Sequence, residues 1–149
     1  MKQVINKNKE WYTTYIDDIK EDDYSQWINL KNQRGQIYSC TVLKGISINY
    51  FQIFLDSTLP VESFHSETLL MAYCIEGRVE GELKNGSISY LPEQYFCVSS
   101  DVFQFESISF PLKKYIGISI RIDLEDMDDE AKRILDYFKF LTGSVKYVV

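Results

Sequence analysis

The chain has 149 residues, 45% of them apolar and 15% aromatic, with a formal net charge of −6. This length suits one domain with a real core, and the composition excludes an intrinsically disordered protein. No run reaches the roughly 18 consecutive apolar residues of a membrane-spanning helix. The acidic balance, with Lys113 and Lys114 adjacent and little other clustering of basic residues, argues against a surface built to grip nucleic acid.

The opening "MKQVINKNKE" lacks the apolar core of a signal peptide, so a cytoplasmic location is expected. Residues 1–35 are polar with spaced aromatics: Trp11, Tyr12, Tyr15, Tyr24 and Trp27. They read as an arm lying on the domain, with a short helix around Glu10–Lys20, and as a hydrophobic cap or a ligand lid. Strand signals follow in series: "IYSCTV" (37–42), "ISINYFQIF" (46–54) and, after a loop over 55–67, "TLLMAYCIE" (68–76). Gly77 interrupts that last run.

"RVEGELK" (78–84) alternates, with Val79, Gly81 and Leu83 on one face. Asn85-Gly86 is a strong hairpin signal because both turn residues tolerate positive φ. "SISYL" (87–91) returns, with Ile88 and Tyr90 expected on the inner face. "YFCVSS" (95–100) and "VFQFES" (102–107) come next. In "FPLKKYIGISIRID" (110–123), Ile116, Ile118, Ile120 and Ile122 share one face. Gly117, Ser119, Arg121 and Asp123 share the other, so a half-buried strand with one wet face is expected. Eight short strands with turns between them predict a sandwich or small barrel.

The segment "LEDMDDEAKRILDYFKFLTG" (124–143) changes period and predicts one helix, acidic in its first turns and closed by Gly143. Met127, Ala131, Ile134, Leu135, Phe138 and Leu141 line one helical face. Cys40, Cys74 and Cys97 are widely spaced with no C-x-x-C pair, and read as reduced, buried thiols.

The run "YCIEGRVEGELKNGSISYLPEQYFCVSS" resembles the cupin-like, jelly-roll N-terminal domain of AraC/XylS-type transcription regulators. "RGQIYSCTVLKGISINYFQI" is similar to the opening strands of that domain, and "FPLKKYIGISIRID" to its closing strand. The resemblance covers roughly residues 34–124. It implies a mainly β, cupin-like double-stranded β-helix over 36–123, with the arm at 1–35 and a C-terminal α-helix at 124–143. In that family the barrel binds a small effector and pairs two subunits, while a separate C-terminal domain binds DNA. This chain stops at Val149, which leaves no room for that DNA-binding domain. An excised sensor, or a regulator that has lost its reader, is therefore expected. The family's Gly-Asp pair before "FCVSS" is replaced by Gln94-Tyr95, so Gln94 must adopt a conformation that glycine reaches freely.

Cupin metal sites pair two histidines two residues apart, with a glutamate and a third histidine further on. Against that pattern His65, the sole histidine, stands alone: Ser63, Leu70 and Gln104 occupy the other positions. One imidazole cannot hold a transition ion, so neither metal nor cofactor is expected.

The leading expectation is an effector-sensing and dimerisation domain of an AraC-type regulator, not an enzyme. Its small-molecule effector would sit in the barrel mouth among Tyr38, Tyr50, His65, Tyr73, Tyr90 and Arg121. Ile134, Leu135, Phe138 and Leu141 would form a homodimer interface. Direct DNA binding and membrane contact are not expected of this chain. Two alternatives are a small cupin-type enzyme (isomerase or oxygenase), which would need a metal, and a pairing module with a filled barrel and no ligand.

Overall fold

The structure is a computed structural model and describes residues 14–60, 68–100 and 105–137. Ten strands are present among the described residues: β1 (Ile16–Glu21), β2 (Ser25–Leu30), β3 (Gly35–Leu43), β4 (Ile46–Ile53), β5 (Leu59–Pro60), β6 (Thr68–Leu83), β7 (Ile88–Pro92), β8 (Phe96–Ser100), β9 (Phe105–Ser109) and β10 (Tyr115–Asp123). One helix, α1 (Asp129–Tyr137), follows them. Every pairing is antiparallel.

The strands form two packed sheets that share β6. The first half of β6 belongs to a large sheet with the order β1-β2-β3-β4-β10-β6-β8, and its second half to a small one with β7, β9 and β5. The main core lies between them and includes Ile28, Leu30, Ile53, Leu55, Cys74, Leu91, Phe110 and Tyr115. A second cluster lies on the opposite face of the large sheet. There Met127, just before α1, and Ala131 and Leu135 on α1 pack on Ile46 and Ile122.

Several local expectations are corrected. From Ile16 the expected arm helix gives way to strand, and the β1–β2 hairpin continues the large sheet beyond β3. Backbone pairing to β3 overrides a weak local pattern. Residues 68–83 are one strand, not two. Gly77 bends it at φ +89° without ending it, and Arg78 N–H donates to the Lys114 carbonyl at 3.2 Å. At the Asn85-Gly86 turn only Gly86 has positive φ (+80°). Gly86 N–H donates to the Leu83 carbonyl and Leu83 N–H to the Ser87 carbonyl, each at 2.8 Å. The loop is thus a three-residue turn closed by a left-handed glycine rather than a two-residue one.

Ile88 and Tyr90 point outward, because Leu91 takes the inward position opposite Val79. The helix begins at Asp129 rather than 124, since Asp128 Oδ1 caps it by accepting from Ala131 N–H at 2.9 Å. Gln94 does adopt left-handed backbone (φ +63°), and its N–H donates to the Cys74 carbonyl at 2.7 Å. The turn stays tight without glycine.

Candidate functional site

Strand β10 lies between β4 and β6 in the large sheet, and its register defines both faces. Gly117 stands opposite Phe51 and Cys74, Ser119 opposite Asn49 and Ala72, and Arg121 opposite Ser47 and Leu70. Cys74 and Phe51 belong to the main core, so this face looks inward. The expected wet face of β10 is therefore the inner one, and the isoleucines lie outside. Gly117 is required here. A Cβ at this position would overlap the Tyr115 hydroxyl, whose ring runs along the inner face.

The inner face is graded along the strands. One end is apolar, around Tyr115, Ile53 and Cys74. Burial drives the Tyr115 phenol well above its ordinary pKa and raises the thiols of Cys74 and Cys97. Those thiols stay protonated at neutral pH and are poor nucleophiles.

The other end is polar. One register row crosses the sheet as Gln26, Ser39, Asn49, Ser119, Ala72 and Cys97. The next row runs Thr41, Ser47, Arg121, Leu70 and Ser99. Ser39 Oγ donates to Asn49 Oδ1 at 2.7 Å, and Asn49 Nδ2 donates to Ser119 Oγ at 3.2 Å. Ser119 is only 3% exposed, whereas Asn49, Ser47 and Thr41 are half-buried. Burial lowers the Arg121 pKa and Asp123 raises it; a guanidinium keeps its charge under such shifts. The floor so formed offers hydroxyl, amide and guanidinium groups on three adjacent strands, a surface suited to hydrogen-bonding a small polar molecule.

Of the six residues expected to converge on a ligand, Arg121 is the one that lies on this floor among the described residues. Tyr38, Tyr50 and Tyr73 lie on the outer face, in the row Trp27, Tyr38, Tyr50, Ile118, Tyr73 and Phe96. Trp27 and Tyr38 pack at 4.4 Å between ring centroids. Tyr90 lies on the outside of the small sheet with the Arg78 guanidinium 4.4 Å from its ring centroid. The expected gathering of these tyrosines in a barrel mouth is corrected by strand parity. His65 lies outside the described residues. The polar row of Ser39, Asn49 and Ser119 went unrecognised because hydroxyl-bearing residues opposite isoleucines read as solvent-facing. The alternation itself was the available signal.

Of the four expected pairing residues, Leu135 is buried against its own barrel, which corrects its assignment to a dimer interface. Ile134 is exposed, and Phe138 and Leu141 lie outside the described residues. A shallow groove of about 300 Å³ along α1 is lined by Glu130, Arg133, Ile134 and Tyr137. Among the described residues its lining comes from the helix, with none of the polar floor in it. Among the described residues no three His, Cys, Asp or Glu side chains gather to hold a metal ion, and no helix is long and apolar enough to cross a membrane.

No protein-family model matches the chain, and no curated protein matches it in sequence. Solved structures share its fold. An HTH_3 family transcriptional regulator from Vibrio cholerae superposes with a TM-score of 0.50 at 10% identity, over 61% of this chain and 52% of that one. The chain thus spans about half of that regulator's length. A cupin domain of an XRE family transcriptional regulator from Enterobacter cloacae gives 0.49 at 7% identity, over 61% of this chain and 97% of that domain. Ectoine synthase from P. lautus gives 0.42 at 15% identity, over 71% of this chain and 69% of the synthase. The expectation that the chain is not an enzyme is withdrawn: a fold by itself gives no ground for excluding catalysis. At these identities the likeness is one of fold, and the chain is a mainly β protein with a cupin-like jelly roll and a C-terminal helix.

Proposed function

We propose that the chain is the effector-binding domain of a transcriptional regulator of AraC type, and that its effector is a small polar molecule held on the inner floor of the large sheet. The observation that carries this reading is the hydrogen-bonded row Ser39–Asn49–Ser119, which leads to Arg121 in the next row. An inward-facing polar row is costly unless its groups are satisfied, and here Ser39 and Asn49 are half-buried while Ser119 is buried. The regulators among the fold neighbours fit the reading. The net charge of −6 fits a chain that leaves contact with DNA to other residues.

The test is a thermal-shift screen of polyols, amides and carboxylates, followed by calorimetry on any hit. A true effector at about 100 times its Kd stabilises the fold by about 2.7 kcal/mol. Asn49→Leu, which removes the central member of the row, should abolish that shift while the far-ultraviolet circular dichroism stays β-rich. A hit that binds Asn49→Leu as tightly as the wild type would refute the site. Turnover of the hit, followed by chromatography, would refute the sensing role in favour of an enzyme.

A further inference from the structure

The outer face of the large sheet leaves apolar side chains exposed that the effector site does not explain. Helix α1 covers only one end of it, at Ile46, Ile122 and Leu69. Beyond the helix lie two register rows. The nearer is Cys40, Ile48, Ile120, Met71 and Val98; the farther is the aromatic row from Trp27 to Phe96. From β2 to β8 neither row contains an Asp, Glu, Lys or Arg; on the edge strand β1 the aromatic row ends at Lys20, which pairs with Trp27. Trp27, Ile48, Tyr73, Phe96, Val98 and Ile118 are each between 39% and 59% exposed.

We propose that this face is the interface with a second copy of the chain, the two large sheets packing face to face about a two-fold axis. Area supports it. Those six side chains leave on the order of 500 Å² of apolar surface in water, the upper end for a monomer's largest patch. Pairing two copies would remove about 1,000 Å² from the six alone, the threshold for a specific interface, and the half-buried Tyr38 and Tyr50 would extend it. Shape supports it as well. Six strands about 4.8 Å apart make the aromatic row about 24 Å long, the span of a sheet-on-sheet contact.

Charge selects the occupant. A chain of net charge −6 repels its own copies, and a patch free of ionised groups is where they can meet at least cost. Stacking on single-stranded nucleic acid would need several basic residues among the aromatics, and the aromatic row offers only Lys20 at its β1 end, with Asp18 beside it at 4.0 Å. The proposal also moves pairing off the helix stripe, part of which is already used intramolecularly.

The test is sedimentation velocity of the full chain from about 1 to 100 μM, the range that brackets a micromolar dissociation constant. The wild type should be a dimer over most of that range. Ile118→Lys, at the centre of the row, should weaken it at least about 100-fold and leave the circular dichroism unchanged. Tyr137→Lys, on the exposed side of α1, should leave the dimer intact. If Ile118→Lys does not fold, Phe96→Ser on the edge strand β8 takes its place with the same expectation. A wild type that is monomeric at 100 μM overturns the proposal. So does a dimer that survives the sheet variants or dissolves with Tyr137→Lys.

Discussion

Replacing Gly77 by alanine tests the account of how β6 serves two sheets. Gly77 sits at φ +89°, and a Cβ there would overlap the Lys114 carbonyl, which accepts the Arg78 N–H. Three costs add. A non-glycine residue at positive φ costs about 1–2 kcal/mol. Loss of the Arg78–Lys114 bond costs about 0.5–1.5 kcal/mol. Displacing packed backbone at the start of β10 costs about 1–3 kcal/mol. A total near 4 kcal/mol is a large share of the 5–15 kcal/mol typical of a domain, and corresponds to a fall in Tm of about 8–16 °C. Gly86→Ala is the matched control. Its φ is +80°, but nothing lies within 4 Å of the added Cβ, so only the backbone cost of about 1–2 kcal/mol applies. Urea denaturation of both variants supplies the comparison, with m-values checking that the unfolded state is unchanged. If Gly77→Ala costs no more than Gly86→Ala, the close approach of β6 and β10 is not what demands glycine, and the reasoning fails.

Gln94→Gly should stabilise the protein by about 1 kcal/mol, since it relieves left-handed backbone at φ +63°; a lower urea midpoint would show that the Gln94 side chain supplies more than the strain costs. Burial raises the Tyr115 phenol, so the folded state keeps its proton where the unfolded chain releases it. Its contribution to stability is full below about pH 10 and is lost as the pH rises beyond that, at up to about 1.4 kcal/mol per pH unit. Cys74 and Cys97 are raised by burial too and act in the same direction from about pH 8.5. Tyr115→Phe should therefore show a shallower decline in urea-measured stability above about pH 10 than the wild type, and parallel slopes would contradict a buried phenol.

The alternation in "YIGISIRID" is enough to divide β10 into isoleucines on one side and Gly117, Ser119 and Arg121 on the other. The turn at Asn85-Gly86, the mainly β class and the C-terminal helix are legible in the same way, because each follows from local period and turn chemistry. Which side of β10 faces inward is not local. Isoleucine outside is tolerable at Ile122 because α1 covers it, while Ile118 remains bare. Serine inside is tolerable at Ser119 because Asn49, 70 residues earlier in the chain, donates to it. The same holds for β1 and β2, where a weak pattern becomes strand once β3 offers its edge. Periodicity assigns residues to faces; the partner that each face meets is a property of pairings between distant segments. The polar floor and the aromatic outer row therefore became visible only once β4, β10 and β6 lay side by side.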